Sequence, residues 1–182
     1  MYLKSLTPIL QDIEMQARVI APIIEKAIKS GNTIWIMGNG GSASTANHLE
    51  TDLTFIRLEE ISFPIRVFSL SANSSLITAI ANDISFDEIY SKQLMRRAMA
   101  GDVAVLISAS GESPNIRRAL EFCRTAGVIS IGLTGFDGGI VKRDCDYSMH
   151  FPTDNGMYGP VEDAHLALCH VLTSELKMRL LL

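Results

Sequence analysis

Apolar residues recur at helical spacing near the start of the chain: Ile9, Leu10, Ile13, Ile20, Ile23, Ile24, Ala27 and Ile28. This period predicts one long helix over about Leu6 to Lys29, kinked at Pro22 and closed by Gly31 as its C-cap. Beyond Asn32 the pattern changes to short β-branched runs that alternate with helical stretches. Strands are predicted at Thr33–Met37, Ile65–Leu70, Val103–Ser108, Val128–Thr134 and Asp146–Phe151. Helices are predicted from the glycine turn after Met37 to about Phe55, at Ser74–Ala81, Phe86–Ala98, Ser113–Ala126, Gly139–Arg143 and Val161–Leu181. Five strands, most of them separated by helices, imply an α/β fold with a parallel sheet covered on both faces. The first helix lies outside the alternating units. It is expected to pack on the domain surface and against another subunit.

Length adds a bound. With 182 residues the chain makes one domain, with an N-terminal helix over 1–30 and a core over 31–182. An apolar fraction of 47% with 20% charged residues places it among folded proteins. No apolar run is long enough to span a bilayer. The start, Met1-Tyr2-Leu3-Lys4, lacks the blocks of a signal peptide, so a cytoplasmic protein without membrane contact is expected. The net charge is −4 and the basic residues are scattered, with only pairs such as Arg96-Arg97 and Arg117-Arg118. That argues against a nucleic-acid groove. Cys123, Cys145 and Cys169 are far apart and read as reduced thiols.

The most informative stretch is Ile107-Ser108-Ala109-Ser110-Gly111-Glu112-Ser113-Pro114. It joins a buried strand to a helix start, where free backbone N–H groups and the positive end of the helix dipole face one point. Serine hydroxyls add donors, and together they make a cradle for a phosphate. The alternative, an N-cap by Ser113 with Pro114 at the first helical position, leaves Ser108 and Ser110 unexplained. A second turn, Gly38-Asn39-Gly40-Gly41-Ser42, also follows a strand. It lacks the third glycine of a dinucleotide fingerprint and the lysine of a P-loop, and is a tight turn that brings backbone close to a ligand. Both loops belong at the carboxyl edge of the sheet, where such folds bind ligands.

Titratable groups supply the chemistry. His48 and Asp52, four apart, share one helix face and could hold a divalent metal, offer an acid and a base, or form a surface pair. On the last helix, Glu162 and His170 fall within about 80° of one another. His165 lies on the other side of Glu162 and reads as a hydrogen-bonded structural histidine. If the two helices meet, His48, Asp52, Glu162 and His170 form a set suited to Zn²⁺ or another borderline divalent ion. Asn82 and Asp83 could bind sugar hydroxyls or serve a turn. Asp154 to Gly159 reads as a flexible loop ahead of the final helix.

These residues carry a resemblance. Gly38-Asn39-Gly40-Gly41-Ser42, Ala81-Asn82-Asp83, Ser108-Ala109-Ser110-Gly111-Glu112-Ser113 and Leu133-Thr134-Gly135-Phe136-Asp137-Gly138-Gly139 resemble the sugar isomerase (SIS) domain. Within that family they are most similar to the phosphoheptose isomerases, which interconvert sedoheptulose 7-phosphate and a heptose 7-phosphate. The resemblance implies a flavodoxin-like αβα sandwich, assembled as a homotetramer with sites at subunit contacts. It implies that Asn39, Gly40, Gly41, Ser42, Asn82, Asp83, Ser108, Ala109, Ser110, Ser113 and Glu162 line the substrate site. It also implies zinc ligands at His48, Asp52, Glu162 and His170, with Asp52 and His170 as acid and base. The family usually has Glu where Asp52 stands, Gln where Glu162 stands and Thr where Ala109 stands. Its Arg ahead of the last helix is replaced by Gly159-Pro160. The implied activity is aldose–ketose isomerisation of a sugar phosphate. The alternatives are isomerisation of another phosphosugar, or a non-catalytic module that binds a phosphosugar or a replication-initiator protein.

Overall fold

Five parallel strands form the centre: β1 (Thr33–Gly38), β2 (Arg66–Ser69), β3 (Val103–Ser108), β4 (Ile129–Gly135) and β5 (Tyr147–Phe151), in the spatial order β2-β1-β3-β4-β5. The computed structural model describes residues 2–56, 61 and 63–181. The helices are α1 (Tyr2–Ile9), α2 (Ile13–Lys29), α3 (Gly41–Thr54), α4 (Ser74–Asp83), α5 (Ser91–Arg97), α6 (Pro114–Ala126), α7 (Gly139–Asp144) and α8 (Tyr158–Arg179). A single 3₁₀ turn covers Phe86–Glu88. From β1 the chain steps outward to β2, then returns across β1 to β3. The strand order therefore reverses between β1 and β3. The crevice at that reversal is bordered by the two loops that follow these strands, Gly38–Ser42 and Ser108–Ser113.

Strand side chains alternate between the two faces. Ile34, Ile36, Val103, Val105, Ile107, Ile131 and Leu133 join one cluster with α2, α3 and α8. Trp35, Met37, Ala104 and Leu106 join the other with α4, α5 and α6. The result is three layers, α on β on α, as expected.

Three features differ from the expectations. The first helix is broken at residues 10–12, and α2 runs without interruption through Pro22. Pro8, inside α1, removes one backbone donor just before the break. Helix α2 itself packs on the core. Ile20, Ile24 and Ile28 are almost fully buried within the larger cluster, each worth about 2 kcal/mol of apolar burial. Helix α2 ends in a Schellman turn: Gly31 has φ +74, its N–H donates to Ile28, and the Asn32 N–H donates to Ala27. Finally, α8 begins three residues earlier than expected, at Tyr158, which places that residue on the site.

One buried polar group ties the amino edge together. The Asp102 carboxylate, 1% exposed, accepts from the Thr33 N–H at 2.9 Å, the Trp35 indole N–H at 2.9 Å and the Met99 N–H at 3.0 Å. It holds the start of β1 against the start of β3, on the edge opposite the ligand crevice.

Candidate active site

Both loops at the strand reversal are built rigidly. In the first, Gly40 has φ +54 and ψ −122, a conformation that disfavours a side chain. The backbone of Gly38 is clamped by Ser71, whose hydroxyl donates to the Gly38 carbonyl at 2.9 Å and accepts from its N–H at 3.1 Å. The Tyr90 hydroxyl donates to the same carbonyl at 2.5 Å and lies 3.1 Å from Asn39 Oδ1. Asn39 and buried Asn115 exchange amide hydrogen bonds of 2.9 and 3.0 Å. In the second loop Gly111 has φ +66, and a methyl there would collide with the Gly138 carbonyl. The Ser108–Ser113 loop is thus locked to the loop after β4, where Glu112 also accepts from the Ile140 N–H at 2.9 Å.

Between the loops lies a small cavity of about 110 Å³ lined by Asn39, Ser42, Ile107, Ser108, Ala109, Ser110, Ser113, Tyr158 and Glu162. The capping role considered for Ser113 is not taken up: it occupies the N-cap position without a side-chain cap bond, and its hydroxyl stands 3.5 Å from that of Ser108. The Ser108 hydroxyl oxygen accepts from the Gly111 N–H at 3.1 Å, and that of Ser110 from the Glu112 N–H at 3.2 Å. A serine hydroxyl that accepts in this way can still donate its proton to a ligand. The starts of α3 and α6 add backbone N–H groups without helical acceptors. Among the described residues no Lys or Arg lines the cavity.

The second half of the site sits further along α3 and α8, which pack side by side. His48 and Asp52 lie one turn apart on α3, with 3.5 Å between His48 Nε2 and Asp52 Oδ2. Across the helix contact, His170 on α8 brings its Nε2 to 2.9 Å from that of His48, the rings edge to face at 4.9 Å. Ligating atoms of His48, Asp52 and His170 all fall within 4.8 Å of one another. Two imidazoles and a carboxylate leave a coordination position open, and this donor set fits a borderline divalent cation. His48 and His170 are exposed and Asp52 is half-buried, so the trio opens to the surface of the chain.

Glu162 stands apart from this trio. It lies two turns before His170, and its carboxylate covers Gly41 at the start of α3, where a methyl group would collide with it. Among the described residues the group that could hold a metal ion therefore has three members, and Glu162 lines the cavity wall. Gly40 and Gly41 shape the turn beneath that wall. Asn82 and Asp83 end α4, exposed and hydrogen-bonded to one another at 2.8 Å, and do not line the cavity.

Tyr158 and Asn115 went unmarked as site residues in the sequence. Asn115 follows the serine loop directly and shows its role only through the pairing with Asn39. Tyr158 falls in the stretch read as a loop, and only the early start of α8 turns it onto the cavity. The structural role expected for His165 holds in part. It is fully buried, but neither ring nitrogen has a hydrogen-bond partner, and its ring meets that of Phe151 at 5.6 Å. Burial lowers its pKa to about 4.

Comparison with known proteins agrees with this architecture. The SIS domain family matches residues 1–135. The phosphoheptose isomerase of Trichlorobacter lovleyi is 40% identical over 166 residues, covering 87% of this chain and 83% of that protein. A phosphoheptose isomerase structure from Neisseria gonorrhoeae superposes with a TM-score of 0.79 at 29% identity, covering 94% of this chain and 88% of that one. One from Francisella tularensis shares the fold, with a TM-score of 0.89 at 23% identity, covering 97% of this chain and 93% of that one. No helix among the described residues is long and apolar enough to cross a membrane.

Proposed function

The chain belongs to the SIS domain family, among its phosphoheptose isomerases, and on that premise we propose how its own residues carry out the reaction. It is an aldose–ketose isomerase that interconverts sedoheptulose 7-phosphate and D-glycero-D-manno-heptose 7-phosphate, a step of heptose biosynthesis. One observation supports the assignment of roles more than any other. Helices α3 and α8 each contribute to both ends of the site: Ser42 and Glu162 to the cavity, His48, Asp52 and His170 to the trio. At 1.5 Å per residue the two ends lie about 9 Å apart along α3 and about 12 Å along α8. An extended chain advances about 1.2 Å per bond, so the carbonyl carbon and phosphorus of a seven-carbon sugar phosphate stand about 8 Å apart. That length matches the site better than a triose or pentose would.

The phosphate is held by the hydroxyls of Ser108, Ser110 and Ser113 and by the N–H groups at the start of α6, beside Asn39 and the Gly40–Ser42 backbone. Binding energy gathered there positions the distant carbonyl. Isomerisation moves a proton between C1 and C2 through an enediol. Asp52 and His170 serve the two proton transfers, one at carbon and one at the carbonyl oxygen. A zinc ion held by His48, Asp52 and His170 would supply Lewis-acid polarisation of the carbonyl. Asn82 and Asp83, outside the cavity in one chain, are assigned to a neighbouring subunit's site in a homotetramer. Exposed apolar residues on the N-terminal helices, Leu3, Met15 and Val19, support an assembly role for that region of a single 1–182 domain. The substrate is a small molecule, with no nucleic-acid or membrane partner, and the buried free cysteines Cys123 and Cys169 suit a cytoplasmic enzyme.

The test is turnover of sedoheptulose 7-phosphate by the purified protein, before and after chelation, with metal content measured alongside. Turnover lost on chelation and restored by zinc supports the assignment. A chain inert on this substrate with its zinc site filled refutes it.

A further inference from the structure

We infer that Tyr158 is a substrate-binding residue whose phenol hydroxyl donates to the phosphate end of the sugar phosphate. The inference rests on the phosphate assignment given to the serine cavity above, and adds to it a contact from a different element.

Among the described residues the cavity offers an anion no cationic side chain, since no Lys or Arg lines it and the carboxylate in its wall, Glu162, is acidic. Every neutral donor therefore counts. The serine loop is interrupted at Ala109, whose methyl is buried against Phe136 and Val161 and offers no proton. Of the remaining lining residues, Tyr158 carries a hydroxyl that makes no hydrogen bond within the described chain. It is 53% exposed, although its ring is a large apolar body at the edge of the core.

The ring is held from below. Phe136 meets Tyr158 edge to face, with centroids 5.0 Å apart and an interplanar angle of 81°. Phe136 itself has φ +48 and is the one non-glycine residue at positive φ among the described residues. A bulky side chain persists in that conformation only where its surroundings over-determine it. Here the Phe136 ring, 6% exposed, is packed with Ala109 and Val161 under the cavity. Its strained backbone thus supports an aromatic shelf, and the shelf fixes Tyr158 at the cavity mouth with its hydroxyl unclaimed. An aromatic ring with a free hydroxyl, placed at low entropic cost, suits a ligand contact.

The experiment compares Tyr158→Phe, Tyr158→Ala and Ser110→Ala with the parent enzyme. It measures KM and kcat for sedoheptulose 7-phosphate, and calorimetric binding of inorganic phosphate, which needs no turnover. Loss of one hydrogen bond to a charged group predicts that Tyr158→Phe weakens phosphate binding and raises KM by about tenfold, with kcat within about twofold. Tyr158→Ala shows at least the same loss. The inference is overturned if Tyr158→Phe binds phosphate like the parent while Ser110→Ala does not. A raised KM with unchanged phosphate binding also overturns it, since the hydroxyl would then meet the sugar. If Ser110→Ala binds phosphate normally too, the fault lies with the cavity assignment itself.

Discussion

His48 Nε2 and His170 Nε2 face each other at 2.9 Å, from positions 122 residues apart in the chain. Two imidazole nitrogens at that distance need a proton or a cation between them, since two lone pairs cannot share the space. Asp52, one helical turn along α3 from His48, places a carboxylate oxygen 3.5 Å from the His48 Nε2. The contact follows from the packing of α3 on α8. It makes one site from a helix near the start of the sheet and the last helix of the chain.

Replacing His170 with Ala is expected to lower turnover by about a thousandfold or more, because the proton-transfer and metal-donor roles proposed for it are lost together. The side chain is exposed, so the circular dichroism spectrum and melting temperature should match the parent. His48→Ala should lose bound metal with the fold equally intact. Substantial isomerase activity in His170→Ala would remove that residue from the mechanism.

Glu162 faces the cavity and not the histidine pair, so neutralising it should help an anion enter. Glu162→Gln keeps the shape of the wall and removes one negative charge. At the short distances of the cavity this should lower KM for the sugar phosphate by about three- to tenfold. Metal content should stay at the parental level, because the ligating trio is untouched. A lower metal content in Glu162→Gln would return Glu162 to the ligand set.

Hydrophobic periodicity located the strands to within a residue or two: β1, β3 and β4 bury side chains on both faces and read as apolar runs, while the edge strands β2 and β5 keep an alternating pattern with one face buried. The serine loop stood out because three hydroxyls between a buried strand and a helix start are more than a single N-cap uses. The break between α1 and α2 was hidden, since Leu6, Ile9 and Leu10 pack against the core and keep the helical period across it. Glu162 and His170 share a helix face, yet two turns of rise separate them. Which neighbour each meets depends on where α3 lies, and angular spacing alone does not carry that. Tyr158 gave no signal because its role depends on the shelf built by Phe136, a residue distant in sequence.

Asp102 is expected to matter for stability and not for chemistry. Its carboxylate satisfies the Thr33, Trp35 and Met99 donors at the amino edge of the sheet, away from the cavity. Asp102→Ala leaves these buried donors without an acceptor, and should cost about 3–5 kcal/mol in urea unfolding. Asp102→Asn keeps one acceptor oxygen and should lose less. The fraction that remains folded should turn over substrate at the parental rate, and a selective fall in kcat would contradict a purely structural role.

His165 sets a limit on acid stability. The side chain is fully buried, and burial is the main reason that its pKa falls from 6.5 to about 4. The Thr134 backbone favours the proton without reaching hydrogen-bond geometry, and the charge on His150 opposes it. The folded chain therefore keeps this imidazole neutral over a range in which the unfolded chain takes up a proton. Above pH 6.5 neither state is protonated, and the group contributes its full share. As pH falls from 6.5 towards 4 the unfolded state gains protons first, and stability is lost across that window, by about 3 kcal/mol in total. His165→Leu removes the group. Urea unfolding of both proteins between pH 7 and pH 4 should show the parent losing about that much relative to the variant. Parallel stability curves across the window would show that His165 is protonated equally in both states.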